Sequence, residues 1–287
     1  MQIEASIEEW PPTDDDTTRN DLRTKAVKPF EKSAIVIRTI LIGLSLLTIY
    51  ALLTMDYKGV DVLKGFYVAY LNFKTMFLQP YSHRFSLLEA FYEVGITLGL
   101  AFLSTLFGAF IALFLGLLAA QNLSGKTITN IIKVFIAFIR AVPTILWVLI
   151  FAVAAGLGSA AAVIGITFHS ISYLTKAYSE SFEELDKNVI EALMASGANW
   201  WQIVAQAVIP SSITYLLSWT FMRFEINFAN AVAMGAAAGA AGIGFDMFMA
   251  GEFYFDVHEI GLITYIILAF AIVLETFSTN MKARLRK

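Results

Sequence analysis

Residues 181–210 read Ser181-Phe-Glu-Glu-Leu-Asp-Lys-Asn-Val-Ile-Glu-Ala-Leu-Met-Ala-Ser-Gly-Ala-Asn-Trp-Trp-Gln-Ile-Val-Ala-Gln-Ala-Val-Ile-Pro210. This is the longest polar-containing segment between apolar blocks in the second half of the chain, too polar for hydrocarbon yet helical in composition. The reading is two short helices joined at Gly197. In the first, Ala192, Ala195 and Ala198 recur at helical spacing and make a strip where another surface can come close. In the second, Trp200, Ile203, Val204, Ala207 and Val208 form an apolar stripe, with the Trp pair as interface anchors. Pro210 sits where a new helix can begin. The stretch reads as a docking element held against the face of a membrane.

The blocks on either side justify the word membrane. Of 287 residues, 58% are hydrophobic, and the mean hydropathy is +0.69. The apolar residues come in runs of about twenty, the length that crosses a bilayer core. A soluble domain and a nucleic-acid binder are both excluded by this composition. The formal charge of −3 hides a segregation along the chain. The absence of cysteine removes disulfides, thiolate metal sites and thiol nucleophiles. His83, His169 and His258 lie far apart, read as loop or helix-end residues, and no metal site is expected.

Working outward toward the N-terminus, residues 1–33 hold Pro11-Pro12 and Asp14-Asp15-Asp16 and read as a disordered cytoplasmic tail. Lys25, Lys28, Lys32 and Arg38 flank a first span over 34–54 and set that side as cytoplasmic. An extracytoplasmic segment over 55–86 carries Phe66, Tyr67, Tyr70, Phe73 and Phe77, which suit a helix lying on the outer leaflet. A second span runs over about 87–120, with Gly95, Gly99, Gly108 and Ala112 for close helix packing. The link at 122–130 contains Ser124-Gly125-Lys126-Thr127, which mimics a phosphate loop. Ala120 stands where that motif needs a glycine, and a membrane helix precedes it where a strand is required. No nucleotide site is expected. A third span over about 128–155 contains Arg140-Ala-Val-Pro-Thr144; Pro143 bends it, and Arg140 must face protein or water. A fourth runs over about 159–177.

Toward the C-terminus, a fifth span over about 211–233 places Arg223, Glu225 and Asn227 in its middle. Arg223 and Asn227, four apart, share a side, whereas Glu225 points elsewhere, with Arg140 a candidate partner. These charges either fix helix packing or line a passage. Then comes Met234-Gly-Ala-Ala-Ala-Gly-Ala-Ala-Gly-Ile-Gly244, which allows close backbone approach and irregular structure within protein. A sixth span over about 259–278 ends in the basic residues of 281–287, cytoplasmic by the same charge rule. The expected fold is all-α with six transmembrane helices, both termini and the docking loop being cytoplasmic.

The docking stretch resembles the signature of ATP-binding-cassette (ABC) importer permeases: Glu-Ala-Ala, three residues, Gly, nine residues, Ile-x-Leu-Pro. Glu191, Ala192, Gly197 and Pro210 match at full spacing, while Leu193, Ala207 and Ile209 replace three of its apolar positions. Arg140-Ala-Val-Pro-Thr144 and Arg223-Phe-Glu-Ile-Asn227 resemble phosphonate-importer permeases, although Phe228-Ala229-Asn230 follows where that group often has an Arg. Gly239, Gly242 and Gly244 resemble the glycine run near the outer gate. The resemblance spans about 87–280, with the coupling loop over 178–210. It implies a type I importer permease fold like that of methionine importers, in the plasma membrane of a prokaryote. Glu191, Ala192, Gly197 and Pro210 would couple to a pair of ATPase subunits that bind the ATP, and this chain would carry no cofactor. A second permease subunit and an extracytoplasmic binding protein would complete the system, and a phosphonate or related phosphorus oxyanion would be the cargo. An importer for an amino acid or methionine is the neighbouring alternative. An ion-coupled secondary transporter, with Arg223 and Glu225 as relay, is the alternative from another class. A membrane enzyme would need a convergent acid or His cluster that the sequence does not offer.

Overall fold

The computed structural model describes residues 32–55, 59 and 61–285; most of the tail expected over 1–33, and the last residues of the basic C-terminal run, lie outside them. All regular structure among the described residues is helical. The chain divides into two units, residues 1–62 and 63–287. The first contains α1 (Lys32–Thr54), whose Thr39 and Thr48 hydroxyls donate back to the Ile35 and Leu44 carbonyls and so satisfy themselves within the helix.

From residue 62 on, α2 (Val62–Leu78) leads to α3 (Leu87–Ala119), α4 (Lys126–Ala141), α5 (Thr144–Ala155) and α6 (Ser159–Glu183). The short α7 (Lys187–Ala195) and α8 (Trp200–Ile203) follow, then a π turn (Val204–Val208) and α9 (Ile209–Ala238). A glycine turn joins α9 to α10 (Ile243–Phe248), and α11 (Val257–Leu285) closes the unit. Ser86 starts α3 with a capping box: its hydroxyl accepts from the Glu89 amide, and the Glu89 carboxylate accepts from the Ser86 amide at 2.7 Å. The aromatic-rich helix expected before α3 is α2, and Tyr265 on α11 donates its hydroxyl to the Phe77 carbonyl at its end.

Helices α3 and α6 form the central pair. A side chain on Gly108 would fall 2.6 Å from Ser170 Cβ, and one on Gly116 would fall 3.0 Å from Tyr178 Cβ. Glycine is therefore what lets these backbones meet. Gly165 does the same for α6 against α5, with Val148 backbone atoms at 2.6 Å from an added Cβ. Gly95 and Gly99, expected to share this work, face open space instead. Around the pair one apolar cluster includes Val94, Val148, Ile166, Phe228 and Ile263. A second, nearer the docking loop, includes Leu117, Leu174, Phe182, Ile203 and Val208.

Among the described residues four helices are long and apolar enough to cross a membrane: 33–54, 87–119, 200–238 and 257–284. A fifth span results if the bent pair α4–α5 counts as one. Helix α6 has 25 residues but owes much of its surface to hydroxyls, so composition alone does not mark it as a span. The expected single third span is in fact broken by 88°. Val142 is extended (φ −91°, ψ 123°), as a residue before proline must be, and Pro143 cannot donate into the helix. Across the bend the Trp147 indole donates to the Ile139 carbonyl at 3.0 Å, satisfying an acceptor that the break would orphan. The second docking helix is likewise not separate: residues 200–238 form one continuous rod.

The two classes of glycine separate by thermal denaturation in detergent. Gly165→Ala should destabilise the protein by about 1–3 kcal/mol, as overpacking does. Gly95→Ala should leave the melting temperature equal or slightly higher. Equal melting temperatures for the two variants would contradict the packing described.

Candidate functional site

The docking loop begins where Asp186 caps α7 by accepting from the Asn188 amide at 2.9 Å. Three turns later α7 ends in a left-handed residue: Gly197 has φ +86°. Its amide donates to the Met194 carbonyl and the Ala198 amide to the Leu193 carbonyl, both at 3.0 Å. This is a Schellman stop, which requires a residue tolerant of positive φ. The spacing from Glu191 to Gly197 is thus the length of the last helical turns plus their stop. Glu191, Ala192 and Ala195 are exposed. Ala198, expected to continue the strip, lies past the stop and turns toward the core.

Asn199 then opens the next helix with a capping box to Gln202. Ile203, Val204, Ala207 and Val208 are buried as the apolar stripe requires. The Trp pair splits: Trp201 is exposed, while Trp200 turns inward and donates its indole hydrogen to the Leu123 carbonyl at 2.9 Å. Pro210 is the second residue of α9, directly after the π turn. A proline there removes one amide and crowds the carbonyl four residues back, and the widened turn accommodates both. The base of the loop is tied by residues that spacing does not reveal. Glu183 at the end of α6 accepts from the Gln121 amide (2.9 Å) and pairs with Lys133 on α4 (3.1 Å). Asn122 donates to the Phe182 carbonyl at 2.8 Å. A groove of about 510 Å³ between this base and α7 is lined by Gln121, Glu183, Lys187, Glu191 and Met194. The run around Gly125 serves as the entry to α4.

At mid-depth α9 meets α6 and α3 in a polar cluster. Arg223, only 2% exposed, donates from Nε to Ser170 Oγ and from Nη2 to His169 Nδ1, each at 3.1 Å. Its guanidinium lies 5.2 Å from the Tyr173 ring centroid. One turn on, Asn227 is fully buried and donates to Thr105 Oγ1 and Ser170 Oγ, both at 2.8 Å. Ser170 therefore joins the two side chains that share a side of α9. A cation at this depth costs about 3 kcal/mol even on the mildest insertion scale, and its partners here are neutral. Glu225 is half-buried and joins no ion pair among the described residues. Arg140 is exposed at the end of α4, so the suggested Arg140–Glu225 pair is not made. Pro143 stands at the 88° bend. His169 sits inside α6, not in a loop or at a helix end, and neither Ser170 nor Thr105 stands out in sequence.

The glycine run forms a tight turn. Gly239 stops α9 in the left-handed region (φ +62°), and Gly242 (φ +106°) starts α10. A side chain on Gly242 would collide with the Thr97 hydroxyl, and one on Gly244 with the Val232 carbonyl. Thr97 accepts from the Ile243 amide at 3.1 Å, which fixes the turn on α3.

The sequence profile of the family described as binding-protein-dependent transport system inner membrane component matches residues 112–287. The phosphate-import permease protein PhnE of Mycolicibacterium smegmatis is 28% identical over 199 residues, 69% of this chain and 37% of its own length. The phosphite transport system permease protein PtxC of Stutzerimonas stutzeri is 28% identical over 183 residues, 63% of this chain and 66% of its own. The chain thus spans less than two thirds of either relative. The probable D-methionine transport system permease protein MetI of Pasteurella multocida is 29% identical over 159 residues, 52% of this chain and 73% of its own. An inward-facing structure of the MetNI methionine ABC transporter shares the fold, with a TM-score of 0.61 at 20% identity over 68% of this chain and 95% of that one.

The stop at Gly197 is open to test by hydrogen exchange. No atom lies within 4 Å of a side chain added there, so only the backbone conformation opposes substitution. Gly197→Ala should speed exchange of the 197 and 198 amides by about tenfold, the equivalent of a 1–2 kcal/mol left-handed penalty. Gly197→Asn should do so less. Unchanged exchange in the Ala variant would refute this account.

Proposed function

We propose, for a chain that belongs to the binding-protein-dependent transport system inner membrane components, the role of permease subunit in an ATP-driven importer of a phosphorus oxyanion. The observation that carries the coupling role is the exposed, doubly capped α7, with Glu191 and Ala192 outward and Gly197 stopping it. A short helix held rigidly at both ends suits insertion into a partner's groove, and the lattice of bonds at Gln121, Asn122 and Glu183 ties its base to α3, α4 and α6. On this reading ATP is bound and hydrolysed by a separate pair of ATPase subunits, and this chain is not itself an enzyme. The loop end and both termini face the cytoplasm of a prokaryote. A second permease copy or a related chain completes the passage, and an extracytoplasmic binding protein delivers the cargo.

Closure of the ATPases on ATP would favour the outward-open arrangement because ATP binds that state more tightly. Gly239, Gly242 and Gly244, the turn where α9, α10 and α3 meet, would then flank the outer opening. The cargo class draws support from the phosphate- and phosphite-import names of the relatives. A methionine importer is the second reading, favoured by the likeness to methionine permeases in sequence and fold.

Uptake in proteoliposomes carrying the permease, its ATPase and its binding protein decides between them. Methylphosphonate, phosphate and methionine are offered in turn to wild type and to Gly197→Asp. The expected result is ATP-dependent entry of a phosphorus oxyanion, reduced at least tenfold by Gly197→Asp. Entry of methionine alone would select the second reading, and uptake that needs no ATPase would point to a secondary transporter.

A further inference from the structure

We infer that Arg223 is the point at mid-depth where the transported anion is held, with His169 as the residue that positions its guanidinium. This rests on the importer reading above and adds a binding station to it. Arg223 is among the most enclosed side chains of the protein, yet no carboxylate pairs with it: the ion pairs among the described residues involve Arg84, Lys133 and Lys176. Its Nε and Nη2 are taken by Ser170 and His169, while Nη1 makes no hydrogen bond to a described residue. Ionisable groups within a membrane bundle pair with one another or with backbone carbonyls, or face a pathway. Among the described residues Arg223 has neither a carboxylate nor a backbone carbonyl as partner, which leaves the pathway.

A second observation comes from Asn227. Its side chain is fully buried and its amide donates twice, but Oδ1 accepts nothing. Arg223 Nε and Asn227 Nδ2 both donate to Ser170 Oγ, so the side chain with a free donor and the side chain with a free acceptor are neighbours bridged by one hydroxyl. A monoprotonated phosphorus oxyanion matches this pair of needs: its charged oxygens accept from Nη1, and its P–OH donates to Oδ1. Sulfate, which carries no proton at neutral pH, would satisfy only the first.

A groove of about 780 Å³ between α6, α9 and α11 is lined by Glu180, Ser181, Ser211, Ser218, Trp219 and Lys282. Trp219 in this lining meets the Tyr173 ring edge-on with centroids 6.1 Å apart, and the Arg223 guanidinium lies 5.2 Å from the Tyr173 centroid.

The test uses the complete importer in proteoliposomes, with methylphosphonate, phosphate, sulfate and methionine as probes, and assembly with the ATPase checked by co-purification. Arg223→Gln should assemble and lose methylphosphonate uptake at least tenfold, and Arg223→Lys should recover part of it. His169→Gln should raise KM at least threefold with little change in the maximal rate, a split that mere loss of packing would not give. If Arg223→Gln fails to assemble, the His169→Gln kinetics decide, and an unchanged KM overturns the station. Wild-type methylphosphonate uptake that Arg223→Gln leaves intact overturns the station and leaves the importer reading standing. A wild type that carries methionine but no phosphorus oxyanion overturns the anion class itself.

Discussion

Helix α6 carries Thr167, His169, Ser170, Ser172, Thr175, Ser179 and Ser181; Ser172, Ser179 and Ser181 donate to carbonyls of their own helix, while His169 and Ser170 accept from Arg223. The second unit encloses this helix, so that all of these side chains but the half-buried His169 are buried against protein. Hydrocarbon gives helices no hydrophobic reason to associate, since lipid tails are as apolar as leucine, so close contact and hydrogen bonding must hold the bundle. Gly108 and Gly116 let α3 approach one face of α6, and Gly165 lets its own backbone approach α5. With α3 and α5 in place, α9 can present Arg223 and Asn227 to Ser170 without exposing either to lipid. The loop at the end of α6 inherits its position from the same packing through Glu183 and Phe182.

How much of this could be read from the chain depends on how local each signal is. The stop at Gly197 and the apolar stripe through Val208 are legible because helical spacing and left-handed geometry act over a few residues. The second docking helix was harder to read: Pro210 suggests a boundary, and a π turn absorbs it without interrupting the rod. Pro143 announced a bend in the third span but not its size, because the 88° angle is settled by Trp147 and Val148 packing against neighbouring elements. Arg223 and Asn227 were legible as a shared face. Their partners, 53 and 57 residues away on α6 and 122 away on α3, follow from tertiary contact alone. The glycines of α3 show the same limit, since Gly95 and Gly108 look alike in sequence and only one is in contact.

The span count carries a related lesson. Hydropathy identifies helices that face lipid, and α3 and α11 do so with rows of exposed Phe, Leu and Ile. A helix enclosed by others needs no apolar coat, so the most central element of the bundle is the one composition recognises least.

The continuity of residues 200–238 has a mechanical meaning. Thirty-nine residues run as one helix roughly 58 Å long at 1.5 Å per residue, widened once at the π turn over 204–208. Trp200 fixes its near end beside the loop by its bond to Leu123, and its far end stops at Gly239. A tilt of about 5° at the near end displaces the far end by about 5 Å, the rise of one helical turn. The glycine turn, pressed against α3 through Thr97, stands where that displacement arrives. On the importer reading, force applied at the loop end would be expressed at the Gly239 end by rotation of one helical element.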